Sequence, residues 1–469
     1  MAALGISDPS DLLAEQMLTI TAARLPIYSW APDLEEGALR QAINCANLPV
    51  AFHHVAVMAD GHQGYGVPIG AVLALSDAIS PYAVGNDIGC GMGLLPTRLT
   101  RKELLSPLKT RSGGPGPVAR DEIMGWVQST VPAGTGASRS ATLPPNIKQL
   151  LESAFDAMEE AAAATGIPLS TSQSPKPEGG KSLSREEFLD RGRAHAGTLG
   201  AGNHFIELLA GPDEEVAILI HSGSRGVGGL ICANFHRMAF AFASTSNDSL
   251  PDPGLAWLPL SGNGHGDPWA KAGSCYRVAL NAALDYAKAN RQLMLETVGE
   301  IIERRFPNSL VWDDLINIHH NDATLEEHYG AWVWVHRKGA VKAPKGAPTI
   351  TPGSMGTGTI VGRGLGKPES FSSCSHGAGR VLSRGRARQV LSLQEQLERI
   401  KAAGGKVFAQ SKEAVLDEMP GAYKDLDEVM ANQADLVAPV RRYTPLATYK
   451  GVERERRRRK GQWRPEEER

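Results

Sequence analysis

The feature that most restricts this chain is how its glycines are grouped. There are 51 in 469 residues, and six runs stand out: VAVMADGHQGYGVPIGAV (Val55–Val72), VGNDIGCGMG (Val84–Gly93), GTLGAGNHFIEL (Gly197–Leu208), ILIHSGSRGVG (Ile218–Gly228), TPGSMGTGTIVGRG (Thr351–Gly364) and CSHGAGR (Cys374–Arg380). Between them lie apolar stretches such as VAILI and AWVWVH, which read as strands. Helices are predicted over Asn146–Ala164, Ser274–Phe306 and Ala387–Gly405, the last closing on a glycine pair. No repeat of fixed period and no clear linker divides the chain. The expected fold is therefore α+β: a single large domain of sheets with surrounding helices, its functional groups on Gly-rich loops that follow strands.

Composition narrows the class further. With 42% hydrophobic and 21% charged residues the chain can bury a real core. No run approaches the roughly 20 apolar residues that span a bilayer, and the N-terminus lacks the basic start and apolar stretch of a secretory signal, so a cytoplasmic protein with no membrane partner is expected. Five scattered cysteines with no CxxC pair argue against a disulfide framework or a zinc knuckle. A net charge of −2 supplies no global attraction to nucleic acid, so a polyanion must be met by local Arg and Lys clusters. Two segments read as less ordered. Gly166–Lys181 has loop chemistry, and the charged tail 452–469 cannot bury enough apolar area to fold alone. Arg456–Lys460 in that tail would suit a phosphate-binding arm, a reading weakened by the acidic residues beside it.

Ligand-type side chains sit where the glycines are. Asp87 and Cys90 share NDIGCGMG, His204 ends GAGNH, His221 opens HSGSRG, and His320 lies in INIHHNDATLEEH. Singly, each histidine reads as a hydrogen-bonded core residue and the cysteine as a small buried hydrophobe. Together, at strand ends and glycine turns, they read as one metal cluster. One thiolate, one carboxylate and three imidazoles exceed a closed tetrahedral zinc site and suit two cations sharing a ligand, with Mn, Zn, Fe or Co all compatible. Paired cations commonly clamp oxyanions during transfer at phosphorus.

The remaining runs supply the rest of such a site. TPGSMGTGTIVGRG offers backbone N–H groups with Ser354, Thr357 and Thr359, suited to phosphates, although it is neither a Walker A motif nor GxGxxG. In SHGAGR, His376 stands on a bare backbone suited to nucleophilic attack, with Arg380 nearby for a bidentate phosphate contact. A turn histidine without a task is the bland alternative.

Seven motifs in order, DGHQGYGVPIG, NDIGCGM, LGAGNHFIE, HSGSRG, HHNDA, PGSMGT and HGAGR, resemble the RtcB family of GTP-dependent RNA-splicing ligases from about Asp60 to Gly451. The resemblance implies an enzyme, a nucleic-acid ligase that joins RNA 3′-phosphate or 2′,3′-cyclic phosphate ends to 5′-hydroxyl ends with GTP and two Mn2+ ions. On this analogy His376 becomes a covalent GMP carrier oriented by Asp60. Asp87, Cys90, His204, His221 and His320 hold metal, with Cys90 as the bridge. Guanylate is held by Asn203, Glu207, Asn321, Ser354, Gly377, Ala378, Gly379, Tyr423 and Lys450, and Arg225 and Arg380 meet RNA phosphate. An archease-type activating protein is a further implied partner. The lysine nucleophile of KxDG ligases is absent: Met58 stands where it would be.

The same reading assigns 1–451 to a catalytic domain, with 104–195 as a variable, partly helical region that matches the family poorly. His319 is expected to face away from its neighbour His320 across a strand, and His328 and His336 to be structural. Competing readings are a 3′-end guanylylating capping or repair enzyme, a dinuclear metallophosphoesterase with His376 as general acid, and a nucleic-acid binding module.

Overall fold

In the computed structural model, residues 17–109, 115–139, 144–174, 180–245, 250–262 and 266–452 are described. The expected charged tail lies outside them from residue 453 onward.

Two sheets organise the chain. The first has six strands in the order Leu18–Ile20, Ile27–Ser29, Ala51–His62, Ile69–Leu75, Ala331–Lys338 and Asn321–His328. The second runs Ile316–His319, Gly91–Thr100, Glu215–Ser222, Phe205–Ala210, Val437–Lys450, Thr359–Gly364 and Pro348–Pro352, with short Val407–Phe408 beside Val437–Lys450. In these two sheets only Ile27–Ser29 with Ala51–His62, and Val407–Phe408 with Val437–Lys450, pair in parallel. That antiparallel dominance is what α+β predicts and a doubly wound fold does not. Strand Glu215–Ser222 is buried along nearly its whole length. Its alternate side chains fill two different cores: Val216, Ile218 and Ile220 one, Ala217 and Leu219 the other. Coverage on both faces explains why its sequence is continuously apolar.

The long helix Pro268–Glu303 binds the sheets together. It starts where Asp267 accepts from the backbone of Trp269 and Ala270, with Pro268 in the first turn. Its 36 residues span about 54 Å at 1.5 Å per residue. Met294, Leu295, Val298, Ile301 and Ile302 pack under the second sheet, while Ala272, Tyr276, Ala279 and Leu280 join the core shared with helix Pro145–Thr165. The helices expected at 146–164 and 274–306 are therefore present with shifted ends.

The helix expected over 387–405 is not continuous. It divides into Arg384–Val390 and Leu393–Ala402. Leu391 is extended (φ −84°, ψ 137°), and the Ser392 hydroxyl accepts from Glu395 N–H to start the second piece. A serine able to cap competes with helix continuation at that point. The described parts of the expected loop, 166–174 and 180–181, are tied down: Ser170 bridges to Ser182, Thr171 N–H donates to Lys181 O, and the Asn234 side chain holds the Ser170 backbone.

One connection decides where the functional loops meet. Ile316–His319 belongs to the second sheet and Asn321–His328 to the first, leaving His320 as the single residue between them. His319 pairs with Gly91, and Asn321 with Lys338. His320 N–H donates to Cys90 O (2.8 Å) and its carbonyl accepts from Ala340 N–H (3.0 Å), so the chain crosses between sheets beside the Cys90 turn. Among the described residues no helix is long and apolar enough to cross a membrane.

Close approach at this crossing requires glycine. A Cβ on Gly91 would lie 2.0 Å from Ile318 O, and the backbone of a paired strand cannot yield cheaply. Gly91→Ala is expected to lower stability by roughly 2–4 kcal/mol through forced strand separation, measured by denaturant unfolding; an unchanged midpoint would show that the strands can part freely.

Candidate active site

Asp87 and Cys90 sit on the turn between the short helix Pro81–Val84 and strand Gly91–Thr100. His204 precedes Phe205–Ala210, His221 lies near the end of Glu215–Ser222, and His320 is the crossing residue. Adjacent strands bring these ends together. Cys90 Sγ is 3.2 Å from His221 Nε2 and 3.5 Å from His204 Nε2. His221 and His320 approach Nε2 to Nε2 at 3.4 Å, and His204 Nε2 is 2.9 Å from Asp87 Oδ2. Two triads result, Cys90/His221/His320 and Asp87/Cys90/His204, sharing the one thiol.

The donor set fits cations. His204 Nδ1 is 3.0 Å from Leu199 O and His221 Nδ1 3.2 Å from Asn203 O. Carbonyls only accept, so in the neutral rings those nitrogens carry the protons: His221 Nε2 turns a lone pair inward, and His204 Nε2, which donates to Asp87 when the ring is protonated, would do so once a cation took that proton's place. Ligands at about 2.1 Å around a tetrahedral ion stand about 3.4 Å apart, which matches these separations. Burial drives the pKa values of His221 and His320 well below the usual imidazole range, reinforced by neighbouring imidazoles, and keeps them in the ligating form. Burial and then Asp87 push the Cys90 thiol well up. Burial opposes ionisation of Asp87 too, but the His204 hydrogen bond and charge and the Arg225 charge outweigh it and bring its pKa down to about 2. A cation would convert the thiol to thiolate.

His376 follows strand Ser373–Ser375, which pairs with Ala340–Lys342. Its ring lies 4.7 Å, centroid to centroid, from that of His320. Nδ1 is 2.6 Å from Asp60 Oδ2, an oxygen that also accepts from the backbone N–H groups of His376 (3.1 Å) and Gly377 (3.2 Å). Asp60 is fully buried on strand Ala51–His62. Burial pushes its pKa up, yet the His376 charge and hydrogen bond prevail and hold it below the usual carboxylate value. Gly379 makes the loop's approach feasible, since it has φ +75° and a Cβ there would stand 2.5 Å from Asp60 O.

The ring opens onto a cavity of about 510 Å3, within the range of small-ligand sites. Asn203, Glu207, His221, Ser354, Gly377, Ala378, Gly379, Arg380, Tyr423 and Lys450 all line it; of these the sequence reading assigned His221 to metal and the others to nucleotide or RNA phosphate. Strand register explains much of this: Thr448 pairs with Glu207 and Lys450 with Phe205, and His221 also pairs with Phe205. Paired residues share a face. Thr448 Oγ1 donates to Glu207 Oε1 (2.7 Å), but burial dominates and raises the Glu207 pKa to about 7.

Two expected residues are placed elsewhere. The Asn321 amide donates to Asp87 O (3.1 Å) and accepts from Gly339 N–H (2.8 Å), so it braces the Asp87 turn and does not face the cavity. Arg225, with φ +56°, lies over Gly200 and 3.3 Å from His204 Nδ1, on the outer side of the ligand cluster. Thr359, considered for phosphates, is buried within a strand. His319 packs against Gly89 O and Arg291, away from the cavity, as expected.

Sequence reasoning missed Glu418. Its buried carboxylate meets Lys450 Nζ (3.2 Å), Arg380 Nη1 (3.3 Å), Arg384 Nε (3.5 Å) and the Tyr423 hydroxyl. Burial resists its ionisation, but Lys450, Arg384 and Arg380 hold its pKa well below the usual value. Little in DEMPGAY signals this role, because the cationic partners of Glu418 come from 32 to 38 positions away along the chain and only Tyr423 is local.

Fold and site together define a class: a mixed helix and sheet protein whose candidate metal cluster adjoins a carboxylate-backed histidine at a cavity lined by Arg380, Arg384 and Lys450. Comparison with known proteins narrows this to one family. The family model described as tRNA-splicing ligase RtcB matches residues 41–451. The RNA-splicing ligase RtcB of Escherichia coli K12 is 35% identical over 446 residues, covering 93% of this chain and 99% of that protein. The tRNA-splicing ligase RtcB of Methanococcus maripaludis is 32% identical over 464 residues, covering 89% and 92%. The RNA-splicing ligase RtcB of Mycobacterium tuberculosis is 31% identical over 453 residues, covering 88% and 100%. The chain belongs to the RtcB family of RNA-splicing ligases.

The raised Glu207 pKa gives a stability test. A carboxyl whose folded pKa exceeds its unfolded value keeps its proton preferentially in the native state, so stability is lost as pH rises from about 4.5 to about 7. Glu207→Gln removes that loss. The variant is expected to be more stable than wild type at pH 8 by up to about 3 kcal/mol, with most of the advantage gone at pH 5, in denaturant titrations of the metal-free protein at both values.

Proposed function

We propose that this protein joins RNA 3′-phosphate or 2′,3′-cyclic phosphate ends to 5′-hydroxyl ends, using GTP, two Mn2+ ions and a covalent histidine–GMP intermediate. The observation that carries the reading is the His376–Asp60 pair: Nδ1 is held 2.6 Å from a buried carboxylate beside the metal-ligand His320. With Nδ1 turned to Asp60, Nε2 is the free nucleophilic nitrogen.

Nε2 attacks the α-phosphorus of GTP, the bond to the β-phosphate oxygen breaks, and pyrophosphate leaves. The imidazole becomes cationic as the N–P bond forms, and the Asp60 carboxylate stabilises that charge at Nδ1. An RNA 3′-phosphate oxygen then takes the GMP from His376. Finally the 5′-hydroxyl oxygen attacks the RNA phosphorus, loses its proton and expels GMP. A cyclic end must first add water to give the 3′-phosphate. Two cations held by the triads that share Cys90 supply charge compensation for the phosphates when bound. Glu207, Ser354, Tyr423 and Lys450 line the cavity where the guanylate is held, with Asn203 and the His376–Arg380 backbone along its phosphate. Asn321 acts indirectly, by bracing the Asp87 turn. Arg380 is assigned to RNA phosphate, and Arg225 to the electrostatics of the Asp87 turn, whose carboxylate its charge stabilises. We assign the protein to the cytoplasm, with an archease-type activator as a partner.

Incubation with Mn2+ and α-labelled GTP is expected to give acid-labile, base-stable label on the protein, and none on His376→Ala. Label that persists on the variant moves the nucleophile elsewhere, and phosphate release from RNA without labelling favours a phosphoesterase. Equilibrium Mn2+ binding separates the triads. Two ions per chain are expected for wild type, one for His320→Ala, and weak or no binding for Cys90→Ala, whose thiol both triads share.

A further inference from the structure

Two consecutive residues of the long helix Pro268–Glu303 are polar and almost fully enclosed: Asn290 is 1% exposed and Arg291 0%. Their hydrogen bonds all leave the helix. Arg291 Nη1 donates to Gly89 O (2.7 Å) and Ser222 O (2.9 Å), and Nε donates to Asn317 Oδ1 (2.8 Å). Nη2 lies 3.2 Å from His319 Nδ1, which is itself 3.0 Å from Gly89 O; that nitrogen can accept from the first or donate to the second, not both. Asn290 Oδ1 accepts from Gly197 N–H (2.7 Å), and Nδ2 donates to Gly223 O (3.1 Å), with Thr198 O and Ser222 Oγ at 3.3 Å.

Each of these partners adjoins a ligand-bearing segment. Gly89 lies between Asp87 and Cys90, Ser222 and Gly223 follow His221, Asn317 and His319 precede His320, and Gly197 and Thr198 lead to Leu199, whose carbonyl orients His204. Four segments from distant parts of the chain are therefore wired to one turn of one helix. None of the Arg291 partners among the described residues is a carboxylate, so the guanidinium is not there as half of an ion pair. Burying a charge is costly without full hydrogen bonding, and its planar fork matches several carbonyls at once in a way an ammonium cannot.

We propose that Asn290 and Arg291 form a positioning clamp that sets the spacing of the metal ligands, a role that rests on the metal reading of the two triads. The clamp touches no ion and no substrate. It fixes the loops from behind, so that ligand separations survive the mutual repulsion of the inward lone pairs.

The test measures Mn2+ binding by the metal-free protein, beside thermal unfolding of the same samples. Arg291→Lys keeps the charge and loses the fork; Asn290→Ala loses the second half. Met294→Ala, which opens a cavity one turn along in the same helix and removes none of the hydrogen bonds to the ligand-bearing segments, is the stability control. The Mn2+ dissociation constant is expected to rise about 10- to 100-fold in Arg291→Lys, with a comparable direction in Asn290→Ala, and to stay at the wild-type value in Met294→Ala even at an equal loss of Tm. Wild-type affinity in Arg291→Lys overturns the clamp, as does an equal weakening in Met294→Ala, which would trace the effect to general instability. Wild-type protein that takes up no Mn2+ overturns the metal reading itself, a different result from either.

Discussion

Five electron-pair donors from four stretches of chain face one another at 2.9 to 3.5 Å, and the rest of the molecule is arranged around that contact. Imidazole lone pairs turned toward a thiol and a carboxylate repel unless a proton or a cation lies between them, so the fold must hold them in place. It does so with backbone carbonyls that fix two of the ring tautomers and with buried side chains that tie the loops together from behind.

The architecture makes this convergence possible through one crossing. Because His320 alone separates a strand of one sheet from a strand of the other, the site stands where the two sheets meet. The His376 loop reaches the same place from the opposite side: its strand pairs with Ala340–Lys342, directly after the Asn321 partner strand Ala331–Lys338. Candidate metal ligands and candidate nucleophile thus come from different sheets, with the cavity between them.

Charge in that cavity is organised around one carboxylate and keeps a cationic excess. Glu418, itself buried, gathers Lys450, Arg380, Arg384 and Tyr423 around its carboxylate, so the cations are held in place by the protein's own charge. Preorganised cations need no rearrangement when phosphate charge enters, and this is the condition under which electrostatic stabilisation is largest.

By itself the sequence determined most element types and the inventory of candidate ligands. Apolar runs with glycine boundaries read as strands because burial on both faces leaves no polar alternation, and side chains such as Cys90 and His376 stood out because they interrupt small-residue turns. Residues whose chemistry is intrinsic, a thiol, an imidazole or a carboxylate, announce themselves at any position. What only the tertiary structure decided was which polar side chains are spent on the protein itself. Asn321 turned out to brace the Asp87 turn, Ser392 broke a helix by capping it, and Glu418, Asn290 and Arg291 acquired their roles from partners far away in the chain. Such roles depend on hydrogen-bond geometry between segments, and a hydrogen bond leaves no periodic trace in the order of residues.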